Sequence, residues 1–200
     1  MKRHAETPRI ALALLLAATL ALPAAAQAAG KKKRPATPSL LEGQVAEVID
    51  GDSLRFAQAQ ADPKAEVKLL EVRLVGIDAP EGCQAWGPEA REALREHVAG
   101  KPVQLRTQGL DVYQRTLAVL VVDGMDVNER MVAEGHAWSQ RFQWDKGPYV
   151  EKERVAKALK RGLHAAPGAV LPKDFRRLNG ACEGPPTEPA SAAATTAATR

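Results

Sequence analysis

The segment VKLLEVRLVGIDAPE, residues 67–81, constrains this chain more than any other. Its even positions Leu70, Val72 and Leu74 are uniformly apolar, whereas Glu71 and Arg73 stand at odd positions. That period of two is the pattern of a strand with one face on a core and the other on a groove or solvent. Where the strand gives way to a loop, Pro80 removes a backbone donor and stiffens the turn. Asp78 and Glu81 flank it, so their carboxylates are free of ladder pairing.

Four shorter segments share the strand character. Residues 44–50 and 53–58 read as the arms of a hairpin, and residues 101–107 and 115–122 as two further strands. Five strands closing on themselves leave no long exposed edge. Helices are expected between them: one opened by Pro88, with Ala90, Leu94 and Val98 on one face and Gly100 as its stop; one over residues 127–134; one over residues 149–161. The third carries acids early and bases late, as the helix dipole prefers. The expected class is α+β, a small β-barrel with three helices.

The first hairpin, EVIDGDSLRF, holds Asp50 and Asp52 around Gly51. Asp-Gly between apolar runs is a hairpin signal with a backbone cause, and the chain contains a second case in VVDGMDV, residues 121–127. Asp52 therefore bears chemistry only if it finds partners elsewhere. Asp78 and Glu81 are the candidates, and oxygen ligands of this kind suit a hard cation, calcium especially. Arg73 and Arg115 complete the set, since guanidinium groups clamp phosphate oxygens and meet charge developing in phosphoryl transfer. Each residue has a structural reading too: Asp52 as a turn former, Glu81 as a loop cap, Arg73 and Arg115 as side chains packed by their stems. Their joint order and spacing favour the chemical one.

The ends of the chain are of another kind. Lys2, Arg3 and Arg9 precede an apolar run over residues 10–22, and Ala26-Gln27-Ala28 follows, so residues 1–28 read as an export signal. That run is too short to be a comfortable membrane span. Residues 29–42 form a basic, Pro-rich linker and residues 183–200 a low-complexity tail expected to be disordered, leaving one domain over residues 43–182. Of 28 basic and 24 acidic residues, three bases and one acid lie in the signal and four bases in the Lys31 to Arg34 run. Residues 35–200 hold 21 bases against 23 acids, so net charge is no argument for a nucleic-acid partner. Cys83 and Cys182 are the only cysteines, and an exported chain favours their pairing over two free thiols.

Taken in order, VIDGDSLRF, VRLVGIDAPE, GPEAREAL, DVYQRTLAVL, VNERMVAEGHA and the third helix resemble the thermonuclease, or staphylococcal nuclease-like, family over nearly all of residues 44–178. The resemblance implies an OB-like five-stranded barrel with three helices and calcium-dependent endonucleolytic hydrolysis of DNA and RNA to products ending in a 3′ phosphate. It also implies roles. Asp52 and Asp78 match the calcium carboxylates and Ala79 a residue offering its carbonyl to the ion. Glu81 matches the acid that activates or positions water. Arg73 and Arg115 match the pair on the scissile phosphate, and Tyr113 an aromatic beside the nucleotide.

Some positions depart from the family pattern. Gln114 replaces a glycine, Ala79 lacks a hydroxyl, His164 replaces an aromatic, and Arg141, Phe142 and Trp144 occupy the region of the nucleotide-pocket tyrosines. His97, His136, His164, Trp86 and Trp138 read as structural. The rival reading is a catalytically silent OB-like module that binds nucleic acid or protein. It predicts loss of site residues, yet Asp52, Arg73, Asp78, Glu81 and Arg115 are all present. The expected location is periplasmic or secreted, with no stable membrane anchor after signal cleavage and no obligate protein partner.

Overall fold

Alternation along residues 68–74 places Val72 and Leu74 inside the protein, each about 1% exposed, and turns Arg73 to the opposite side. The computed structural model describes residues 39–62, 64–165, 167–180 and 182. The expected signal, most of the linker and the C-terminal tail lie outside the described residues.

Strand β1 (Leu40–Val48) leads through a tight loop into β2 (Ser53–Gln58), and β3 (Lys68–Leu74) follows antiparallel to β2. After the short β4 (Ile77–Asp78) come helix α1 (Gly87–Val98), β5 (Val103–Leu110), β6 (Thr116–Val122) and β7 (Met125–Asp126). Helix α2 (Val127–Ala133), β8 (Trp138–Ser139), α3 (Val150–Ala158) and α4 (Pro172–Asn179) complete the order. β5 pairs antiparallel with both β1 and β6, and β6 pairs in parallel with β3. The five long strands thus close into a mixed barrel, as the sequence leads one to expect. Leu54, Phe56, Leu74, Leu105 and Leu120 fill it, and Leu94, Val127 and Met131 close it from the helices. Each such side chain stabilises the fold by roughly 1.5–3 kcal/mol through burial.

Several boundaries differ from expectation, among them β5, which runs Val103–Leu110, and α3, which runs Val150–Ala158, and so does the number of helices. β1 begins at Leu40, so Leu40, Leu41 and Glu42, read as linker, pair with Arg106, Leu105 and Gln104 of β5. The long strand stops at Leu74: Gly76 adopts φ of 76°, and the chain turns so that Ile77 and Asp78 pair with Ser139 and Trp138 of β8. Most important, there are four α-helices among the described residues and not three. α4 has Pro172 in its first turn, Asp174 early and Arg176 and Arg177 late, with Phe175 and Leu178 as its large apolar side chains.

Candidate active site

The two Asp-Gly pairs fold differently. Asp123 and Gly124 both have positive φ, 52° and 77°, the signature of a primed hairpin turn between β6 and β7. Asp50-Gly51-Asp52 is instead closed by the Asp50 carboxylate, which accepts from the Asp52 N–H at 2.9 Å. Gly51 lets this loop press on the body of the protein, since a Cβ there would lie 2.7 Å from Ala79 Cβ and 2.8 Å from Ala90 Cβ. The close approach delivers Asp52 to its partners. Its Oδ2 accepts from the Ala79 N–H at 2.6 Å, and Ser53 Oγ donates to its Oδ1 at 3.1 Å.

Arg73 joins the two aspartates. Its Nη1 lies 2.5 Å from Asp52 Oδ1 and its Nη2 3.3 Å from Asp78 Oδ1, with all three side chains largely buried. Glu81 stands at the same mouth. Its N–H donates to Gln84 Oε1 at 3.1 Å, and its carboxylate is ion-paired with Arg176 of α4, whose Nη1 also lies 3.6 Å from Asp78 Oδ1. Asp52, Arg73, Asp78, Ala79 and Glu81 are therefore brought together from the β1–β2 loop, β3, β4 and the turn after β4.

Arg115 and Tyr113 form a separate group. Arg115 Nε donates to Asp111 Oδ2 at 2.8 Å, and its guanidinium sits 5.5 Å from the centre of the Tyr113 ring. They precede β6, whose Thr116 is in parallel register with Val72 beside Arg73. Gln114 takes φ of 66°, a conformation that glycine adopts at less cost, so the turn survives the substitution. Tyr113 is exposed, as are Phe142 and Trp144 on the loop after β8. Arg141 is engaged elsewhere, ion-paired with the buried Glu153. The histidines keep structural company: His97 with Glu134, His136 with Trp86, and His164 edge-on to Trp138.

The acids perturb one another. Burial first, and then the neighbouring Asp52 charge, pushes Asp50 up to about 7 and Asp78 to about 6, against the pull of Arg73. Three carboxyls, Asp52, Asp78 and Glu81, share two guanidiniums, Arg73 and Arg176, and the Asp50 carboxyl accepts from the Asp52 N–H beside them. This all-oxygen donor set with excess acid fits a hard divalent cation. Among the described residues, no three His, Cys, Asp or Glu side chains converge as a preformed metal site. Two carboxylates joined by an arginine fall short of that, and a backbone carbonyl and water are needed to complete a ligand shell.

Sequence reasoning missed three residues here. Asp50 read as a turn former, Gln84 carried no motif, and Arg176 lay on the unrecognised α4. Only the paired arginines Arg176 and Arg177 beside an acid-first turn offered a signal.

Residues 71–166 match the family described as staphylococcal nuclease homologue. An "uncharacterized endonuclease" of Haemophilus influenzae is 36% identical over 135 residues, spanning 67% of this chain and 72% of that protein. The chain belongs to the staphylococcal nuclease-like family. A micrococcal nuclease of Shigella flexneri is 33% identical over 149 residues, with 68% of this chain and 81% of that protein covered. A probable staphylococcal-like nuclease of Oryza sativa subsp. japonica is 35% identical over 118 residues, and there the match spans only 31% of the relative's length. As a member of this family the protein is a hydrolase of the nuclease type.

The expected pairing of Cys83 with Cys182 is present, with Cα atoms 5.7 Å apart. It ties the residue two places beyond Glu81 to the segment after α4. In this nuclease the chain's distal helix is thereby fastened to the loop that carries a site carboxylate.

Proposed function

We propose that the protein is a calcium-dependent endonuclease that hydrolyses phosphodiester bonds of DNA, RNA or both, leaving 3′-phosphate ends. The observation that carries this reading is the bridging of Asp52 and Asp78 by Arg73, with Glu81 joined to the same Asp78 through Arg176. A calcium ion would be held by the Asp52 and Asp78 carboxylates and the Ala79 carbonyl, supplying Lewis-acid polarisation of the phosphate.

The chain's own groups do the rest. Glu81 takes a proton from the attacking water as the water oxygen bonds to phosphorus. The bond from phosphorus to the 5′ oxygen breaks, that oxygen leaves as a hydroxyl by taking a proton from solvent water, and protonated Glu81 returns its proton to solvent. Arg73 and Arg115 grip the non-bridging oxygens and meet the charge that grows on them. Arg115 must exchange Asp111 for phosphate to do so, and Tyr113 offers a face for the adjacent base. Export is part of the proposal, supported by the charged and apolar pattern of residues 1–28 and by the disulfide.

Plasmid DNA incubated with the protein and calcium, or with a chelator, tests this beside Asp52→Ala and Arg115→Ala variants. Calcium-dependent cutting that both variants lose is expected. Binding without cutting by the unaltered protein would instead support the silent-module reading.

A further inference from the structure

Helix α4 carries two adjacent arginines, and only one of them reaches the site. Arg177 pairs with Asp174 on its own helix at 3.4 Å and is mostly exposed. Arg176, one position away in helical phase, turns inward to Glu81 and Asp78. Three ties hold the helix in that orientation. The Cys83–Cys182 bond anchors the chain beyond its C-terminal end. Ahead of it, Gln84 Nε2 donates to the Val170 carbonyl at 2.6 Å while Gln84 Oε1 accepts from the Glu81 N–H. Phe175 lines an apolar cleft with Trp86, Trp138, Leu163 and Val170. The loop that bears Glu81 and the helix that bears Arg176 are thus one mechanical unit.

We propose that Arg176 is a positioning residue of the active site, holding the Glu81 carboxylate in place while competing with the metal ion for Asp78. This rests on the calcium-dependent hydrolytic reading above. A glutamate has three side-chain torsions, and a guanidinium paired with its carboxylate removes much of that freedom before substrate arrives. The same guanidinium lies close to an oxygen that the cation must bind, so it repels the ion and engages one of its ligands. The two effects have opposite signs. Loss of Arg176 impairs turnover yet strengthens metal binding, a combination that general destabilisation of the site does not produce.

The test uses the full disulfide-bonded chain and its Arg176→Ala, Arg176→Gln and Arg176→Lys variants, with Arg177→Ala as control. Calcium is titrated calorimetrically without nucleic acid, and steady-state cleavage of a DNA oligonucleotide is measured at saturating calcium. Arg176→Ala is expected to bind calcium about threefold more tightly or better. Its kcat should fall about tenfold, the effect of losing one charge-assisted contact, with KM within about twofold. Arg176→Gln, which keeps much of the stem, reproduces both shifts and decides the matter if the alanine variant does not fold. Arg176→Lys restores most of kcat, and Arg177→Ala behaves as the unaltered protein. Unchanged or weaker calcium binding in the Ala and Gln variants overturns the inference, as does unchanged kcat. An unaltered protein that neither binds calcium nor cleaves overturns the hydrolytic reading beneath it; one that does both leaves the variants to decide Arg176 alone.

Discussion

The Ala79 N–H donates to Asp52 Oδ2 at 2.6 Å, locking the loop between β1 and β2 to the end of β4. This single contact joins residues 27 positions apart and gives the buried Asp52 carboxylate both a neutral donor and, in Arg73, a charged one. Asp52→Ala leaves the Ala79 N–H without its acceptor and the Arg73 guanidinium with Asp78 as its one remaining carboxylate, and should destabilise the protein by about 2–4 kcal/mol. Asp52→Asn keeps an acceptor and relieves repulsion from Asp50 and Asp78, so it should cost less than half as much. Urea denaturation of both variants measures the difference, and equal stabilities would contradict the role given to this contact.

Calcium should stabilise the fold in proportion to its occupancy. At about a hundred times its dissociation constant, a ligand that binds only the folded state adds roughly 2.7 kcal/mol. Thermal melts with and without calcium are expected to show an upward shift for the unaltered protein and little or none for Asp78→Asn. An equal shift in both would place the ion elsewhere.

Glu153 sets an acid limit to stability. Burial alone would raise its pKa, but hydrogen bonds from Lys157 and Arg141, the Arg141 charge and the Ser139 N–H outweigh it and hold Glu153 below the ordinary 4.5. A carboxyl whose folded-state pKa is depressed contributes stability that is present above its unfolded pKa and lost as pH falls through the folded one. Glu153→Gln should therefore be less stable than the unaltered protein at neutral pH, with the gap narrowing below about pH 4.5. Parallel stability profiles from pH 7 down to pH 3 would show that the ion pairs contribute nothing.

The disulfide closes a loop of 99 residues, which in the chain-entropy account stabilises the fold by about 4–5 kcal/mol. Reductant should lower the melting temperature, and Cys182→Ser should match the reduced protein. Identical melting with and without reductant would show that the bond constrains little. Activity is the second readout, because release of α4 also frees Arg176 from Glu81.

Local alternation and motif spacing determined a good deal of this protein. The apolar positions Val72 and Leu74, the turn residues of the first loop and the order of Asp52, Arg73, Asp78, Glu81 and Arg115 are properties of short stretches of chain. Period, turn chemistry and residue type act over a few neighbours, so the long strands and the candidate acids and arginines could be named from the sequence. Tertiary structure alone decided that Gly51 packs against Ala79, that Arg73 bridges two aspartates, and that Arg176 reaches Glu81 from 95 positions away. Those contacts arise from barrel closure and from a helix that a disulfide fastens beside the site. A pairing between distant segments leaves no local pattern, because what selects it is the geometry of the folded chain.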